Sequence, residues 1–175
     1  CYVGVTQLPP AVSDDELRRL DAEGVRAVRF NVRRGGSAEV GELASMARRV
    51  YDLVKWHAEL YIDSKDLAAI YDTLVRLPRA SIDHLGLSKA GMPTLLKLAE
   101  RGIQVKATGF GRVDFDVAQA VRDITKANPA SLVFGTDLPS TRAPRPFLES
   151  DIDLVADALG DALAKRVFYD NAVAF

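Results

Sequence analysis

Cysteine, histidine, methionine and tryptophan are scarce in this sequence: its 175 residues include one Cys, two His, two Met and one Trp. The lone cysteine, Cys1, excludes an internal disulfide framework, and a reducing, cytoplasmic setting is expected. His57 and His84 are too few to build a metal centre from imidazoles alone. No apolar run approaches the ~18 residues needed to cross a bilayer, and no charged-then-apolar leader precedes the first strand, so no membrane partner is expected. An excess charge of one sign is missing as well, since 23 Lys+Arg stand against 24 Asp+Glu. A general nucleic-acid binder needs a basic surface to neutralise phosphates, so no nucleic-acid partner is expected either.

What is present suits a globular fold: 48% hydrophobic and 27% charged residues. A chain of this length can bury roughly 70% of its unfolded surface around one core. Cys1-Tyr2-Val3-Gly4-Val5 already reads as a strand with no lead-in, and Asn171 to Phe175 reads as the inside of a helix. Both termini therefore read as cuts. No linker or break in composition divides residues 1–175, which are expected to form one domain.

Short strands and helices alternate along the chain. Ser13 and Glu16 form a capping box before Leu17 and Leu20, and Gly24 supplies the stop. Val25 to Asn31 reads as a strand with Arg29 and Asn31 on one side and Val28 and Phe30 on the other. Val40, Leu43, Ala47, Val50 and Val54 recur at helical spacing. Trp56 to Asp63 alternates, with His57, Glu59, Tyr61 and Asp63 sharing a face. Ser64 is expected to cap a helix that ends before Pro78. A strand over Ala80 to His84, a helix through Leu95 and Leu98, and a strand over Ile103 to Thr108 follow. Gln104, Lys106 and Thr108 share one face of that last strand. A helix stopped by Asn128-Pro129, a strand from Leu132 to Asp137, a proline-rich loop and two terminal helices complete the pattern.

Strand then helix, repeated about six times, implies parallel strands joined by right-handed crossovers. An open doubly wound sheet and part of a (β/α)8 barrel both fit. Strands buried in an open sheet read as continuous apolar runs. Here polar residues recur near the C-terminal strand ends: Arg29, Asn31, Tyr61, Asp63, His84, Lys106, Thr108 and Asp137. In a barrel these would converge on one mouth, so the expected fold class is α/β of the TIM (β/α)8 type.

Several segments, in order, resemble the amidohydrolase-related family. They are Val25 to Asn31, Trp56 to Leu60, Asp83-His84-Leu85-Gly86, Val105 to Gly109, Phe134-Gly135-Thr136-Asp137-Leu138-Pro139 and Asp170-Asn171-Ala172. The nearest likeness is to its lactonase branch, which includes 2-pyrone-4,6-dicarboxylate hydrolases. Asp-His-Leu-Gly at one strand end with Gly-Thr-Asp-Leu-Pro at another is the more specific part. The resemblance implies that these strands are the third through eighth of a barrel truncated at its N-terminus. A first-strand His-x-His pair, usual in the family, is not in this sequence. An unclosed barrel leaves a hydrophobic edge, so a homo-oligomer is one expected way to cover it.

The resemblance also implies roles. Asp137 would be the general base that activates water, although before Leu-Pro it also suits a turn or N-cap. His84 would polarise the scissile carbonyl, or join a metal in metal-dependent relatives; its bland alternative is a buried histidine bonded to backbone. Arg29 inside a strand demands an anionic partner. That partner is a substrate carboxylate or, structurally, Asp63 or Glu59. Arg112, Lys106, Tyr61 and Arg34 complete the expected substrate-binding set. For Lys106 the structural alternative is an ion pair with Asp137, and Arg33 and Arg34 could simply be solvated. His57 reads as a core histidine, Trp56 and Phe134 as packing, and Asp83 as a loop brace on the opposite face. Leu87 stands where the pyrone branch often has an arginine.

The implied activity is hydrolysis of a small carboxylated lactone, as in aromatic-compound catabolism. No metal or other cofactor is assigned. Zinc is a cofactor of metal-dependent relatives, but this chain alone lacks their usual ligand cage. A metal-dependent decarboxylase of the same superfamily, a catalytically incompetent fragment or binding scaffold, and a phosphate-binding (β/α) protein using Gly109-Phe110-Gly111 or Gly35-Gly36 are the alternatives.

Overall fold

The computed structural model describes residues 2–32 and 40–175. The expectations for Arg33, Arg34, Gly35 and Gly36 lie outside the described residues. Six parallel strands pair strictly in chain order: β1 (Gly4–Thr6), β2 (Val25–Phe30), β3 (His57–Leu60), β4 (Ala80–Ile82), β5 (Gln104–Ala107) and β6 (Leu132–Phe134). The intervening helices include α1 (Asp14–Ala22), α2 (Val40–Val54), α3 (Tyr71–Leu74), α4 (Met92–Glu100) and α5 (Val117–Ala127). After β6 come α6 (Ser150–Leu159), α7 (Asp161–Lys165) and α8 (Asn171–Ala174).

The local chemistry mostly follows the sequence. Ser13 Oγ accepts from the Glu16 amide at 3.2 Å and so caps α1, which leaves one fewer orphan donor at the helix start. Asp116 caps α5 in the same way, accepting from the Gln119 amide at 3.0 Å. One cap differs. Asp63, not Ser64, accepts from the Lys65 amide at 3.2 Å and opens a 3-10 segment, Ser64–Ile70. Ser64 is buried, and its hydroxyl donates to the Ser88 carbonyl at 2.6 Å.

Each strand has two faces. Val28, Phe30, Leu60, Ile82, Val105 and Leu132 join the helices in the apolar core. The opposite face carries Arg29, His57, Glu59, Tyr61, Ser81, Lys106 and Thr108, as alternation requires. The sheet is strongly curled. In a flat sheet β1 and β6 would stand roughly 24 Å apart, five steps of ~4.8 Å. Here Val5 of β1 and Val133 of β6 line one cavity of about 520 Å³ at the N-terminal side of the strands. Ion pairs skip strands too, since Arg29 of β2 reaches Asp83 beyond β4. The architecture is therefore a run of TIM-type barrel strands, with the polar face inside. No described helix is long and apolar enough to cross a membrane.

Candidate active site

The segments leaving β2, β3, β4, β5 and β6 meet at one mouth. There a cavity of about 260 Å³ is lined by Arg29, Asn31, Tyr61, His84, Arg112 and Asp137, with residues 138–141 as its rim. His84 and Asp137 both adopt left-handed backbone, with φ of 50° and 58°. That region is sparsely used by residues other than glycine, though Asp and His tolerate it better than most. The sharp turn at each strand end aims both side chains into the cavity. His84 Nε2 lies 3.9 Å from Asp137 Oδ1.

Each of the two has a second anchor. His84 Nδ1 sits 2.8 Å from Thr108 Oγ1. When that hydroxyl donates, the ring proton lies on Nε2 and faces Asp137 and the cavity. Asp137 Oδ2 accepts from Arg112 Nε at 2.7 Å, and Arg112 Nη2 donates to the Thr141 carbonyl at 3.0 Å. Tyr61 is buried, with its ring edge-on to His84 at 5.5 Å and the Arg29 guanidinium 5.5 Å from its centroid. Burial holds the His84 imidazole down to about 4, against the opposing pull of Asp137. It is therefore neutral at physiological pH.

Gly109 is what lets these groups approach. Its φ is 60°, and a Cβ there would stand 2.7 Å from His84 Nδ1 and 2.9 Å from Arg112 Cδ. Gly109→Ala is expected to displace both side chains and to lower turnover at least ten-fold, because small misplacements of reacting groups are costly. Steady-state kinetics on the variant checks this, and unchanged kcat would contradict it.

Beneath the mouth lies a buried ion cluster that sequence reasoning foresaw only in part. Glu59 bonds both Arg29 and Lys106. Asp83 Oδ2 is 2.5 Å from Arg29 Nη2, and Asp83 Oδ1 is 3.4 Å from Lys106 Nζ. The expectations for Asp83 and Lys106 are corrected here, and the alternatives for Arg29 are narrowed. Asp83 faces the barrel interior, not the opposite face: its backbone is extended and alternation from Ser81 sets it inward, whereas His84 reaches the mouth through its left-handed backbone and not by parity. The ion pairs of Lys106 are to Glu59 and Asp83, not to Asp137, and its side chain lines the lower cavity, not the mouth. Arg29 does line the mouth, but two protein carboxylates already hold it. Glu59 rather than Asp63 is the partner from β3; register sets Arg29 beside Glu59 on the neighbouring strand.

Within this cluster, burial would lower the Arg29 guanidinium, but Asp83 and Glu59 outweigh it and hold it above its usual value. Burial would raise Glu59, but Lys106 and Arg29 keep it ionised below the usual carboxylate range. Burial and the neighbouring Glu59 push Asp83 up to about 6. His57 is not sealed in the core; it lines the lower cavity and packs against the Phe175 ring at 4.5 Å. Trp56 is fully buried and donates to Asp21 Oδ1 at 2.9 Å, and Phe134 packs edge-on against Phe110, Phe147 and Phe168.

Burial lowers His57 to about 4 as well, with Lys106 adding to the effect. As pH falls from 6.5 toward 4 the unfolded chain binds protons at His57 and His84 first, so stability present above pH 6.5 is lost across that window. Asp83 works in the opposite sense, since its raised value favours the folded state as pH falls through about 6. Two histidines outweigh one aspartate. The expected result is a loss of about 2 kcal/mol between pH 7 and pH 5. His57→Gln should remove much of that loss. Urea unfolding at the two pH values measures it, and a flat or rising profile would contradict it.

Among the described residues no three His, Cys, Asp or Glu side chains form a group able to hold a metal. The third ionic neighbour of the His84–Asp137 pair is the Arg112 cation. Among the described residues the side chains beside His84 and Asp137 do not fit a divalent metal, because a cation already stands there.

Comparison with known proteins agrees with this architecture. Over 86 residues the chain is 36% identical to a 2-pyrone-4,6-dicarboxylate hydrolase of Comamonas testosteroni. That match takes in 47% of this chain and 28% of the relative, so the chain spans well under a third of the curated relative it matches. Among solved structures, an Agrobacterium tumefaciens protein in its apo form superposes with TM-score 0.83 at 24% identity, over 98% of this chain and 68% of that one. A Pseudomonas putida protein described as a candidate 2-pyrone-4,6-dicarboxylic acid hydrolase gives TM-score 0.78 at 23% identity, over 98% and 70%. An Acinetobacter baumannii protein of similar description, crystallised with citric acid bound, gives 0.79 at 21% identity, over 98% and 72%. Those likenesses speak for the fold. The family model described as Amidohydrolase matches residues 2–175, and this chain therefore belongs to the amidohydrolase family.

Proposed function

We propose that this protein hydrolyses a small carboxylated lactone of the 2-pyrone-4,6-dicarboxylate type. The observation that carries this reading is the facing of His84 Nε2 and Asp137 Oδ1 at 3.9 Å, in a cavity that Arg29 and Arg112 also line. The Comamonas relative bears the name of such a hydrolase. A cavity of about 260 Å³ is just below the ~300–1,000 Å³ typical of small-molecule sites, which suits a compact ligand.

In this reading water lies between Asp137 and the lactone carbonyl. Asp137 takes its proton as oxygen attacks the carbonyl carbon. The neutral imidazole of His84 donates from Nε2 to the developing oxyanion, and such a donor is typically worth ~3–4 kcal/mol of barrier. The ring C–O bond then breaks, and the proton passes to the leaving oxygen. Arg112 binds a substrate carboxylate, and the exposed edge of Arg29 is a second point of attraction. Tyr61 forms a wall against which a planar ring can lie. Leu87 in place of an arginine removes one carboxylate contact, which favours lactones with a single well-held carboxylate. The single cysteine suits a cytoplasmic setting. A metal-dependent decarboxylase would call for a third ligand beside His84 and Asp137, where Arg112 stands.

The test is a panel of lactones, 2-pyrone-4,6-dicarboxylate among them, followed by loss of ring absorbance. Carboxylated members are expected to turn over at least ten-fold faster than their uncharged counterparts. If none opens above the buffer rate, the proposed activity is wrong.

A further inference from the structure

The contact between Arg112 and Asp137 has a consequence for how the site would work. Oδ2 of the proposed base is already occupied, because it accepts from Arg112 Nε at 2.7 Å. The two side chains are 10% and 18% exposed, so little water competes for either. An oxygen that already accepts from a guanidinium has that side of the carboxylate engaged, away from an incoming water. Yet both groups also line the mouth cavity, where a ligand would arrive.

We infer that Arg112 is shared between Asp137 and the ligand: a carboxylated ligand draws the guanidinium off Asp137 and so frees Oδ2, the oxygen of the base that the guanidinium holds. This rests on the reading of Asp137 as the base. The carboxylate of the substrate then bears on turnover as well as on binding. An uncharged lactone can enter the cavity but brings nothing to take Arg112 away, so Oδ2 stays engaged.

Three features make Arg112 the exchangeable cation. First, one carboxylate replaces another, so the guanidinium trades like for like with little loss of hydrogen bonding. Secondly, the Arg112 backbone is pinned, its amide donating to the Gly109 carbonyl at 2.8 Å, so the exchange needs only side-chain rotation. Thirdly, the other cation at the mouth, Arg29, is held by Glu59 and Asp83 together, both deeply buried. Moving it would leave two buried carboxylates with fewer partners, whereas moving Arg112 releases only Asp137 and the exposed Thr141 carbonyl. The neutral His84 across the gap does not replace the lost cation.

The exchange is tested without catalysis by calorimetric binding of benzene-1,3-dicarboxylate to the wild type, Asp137→Asn, Arg112→Gln and the double variant. Removing the competitor should tighten binding: Asp137→Asn is expected to lower Kd roughly ten-fold. In the Arg112→Gln background that gain should vanish. A gain that persists there means simple charge repulsion and overturns the exchange. So does an unchanged or weaker Kd for Asp137→Asn, or no binding to either protein. Asn tolerates the left-handed backbone at this position as well as Asp does, so the variant is expected to fold. If the cycle holds but no lactone of any kind opens, the hydrolytic reading falls and the exchange stands. If carboxylated lactones open and the cycle is flat, the exchange alone is wrong.

Discussion

Asp137→Asn is expected to reduce lactone opening by about 10³-fold, within the ~10²–10⁴ that a positioned base contributes. An amide keeps the shape of the side chain and suits the φ of 58°, but it cannot take a proton from water. The loss should fall on kcat, while affinity for the carboxylated substrate holds or improves, because Arg112 then has one less claimant. Activity within two-fold of wild type would remove Asp137 from the mechanism. The comparison with Gly109→Ala is informative, because that change leaves both reacting groups present and moves them, whereas Asp137→Asn leaves the geometry and removes the base.

The largest stability effect is expected at Glu59. It is 2% exposed and bonds two cations at once. Glu59→Ala leaves Arg29 and Lys106 with Asp83 as their remaining carboxylate within the cluster. Taking one member from a buried ion pair typically costs ~3–5 kcal/mol, because the other charges are left under-compensated. Asp83 recovers part of this, since Glu59 is one of the two causes that hold it up to about 6, and its ionised form then gains. A net loss of about 3 kcal/mol in urea unfolding is therefore expected. Glu59→Leu combined with Lys106→Met replaces charge with apolar volume and should recover most of that loss. If Glu59→Ala were as stable as wild type, the cluster would be contributing nothing.

The elements were legible because their signals are local. Ser13 with Glu16, Asn128 before Pro129, and the period of α2 each act within a few residues. Alternation along β3 and β5 sorted Tyr61, Lys106 and Thr108 onto the inner face. The errors have equally specific causes. Asp83 is misplaced when His84 is given the inward parity of the strand; alternation from Ser81 sets Asp83 inward, and His84 enters the mouth only because its backbone turns left-handed. Asp63 and Ser64 are both good capping residues, and the choice between them was made by the carbonyl of Ser88, far along the chain. Lys106 was expected among the mouth residues by parity, but parity gives the face and not the depth.

From the sequence alone came the βα alternation, the parallel sheet, the inward polar face and the two strand-end residues His84 and Asp137, all set by local backbone preference and period. Which charges neutralise one another was decided only by the tertiary structure. Ion pairing depends on how far the sheet curls, and the curl brings Arg29 to Asp83 past an intervening strand and Lys106 back to Glu59. Arg112 lies on Asp137 because the segments leaving the paired strands β5 and β6 run side by side, a contact that no spacing in the chain encodes.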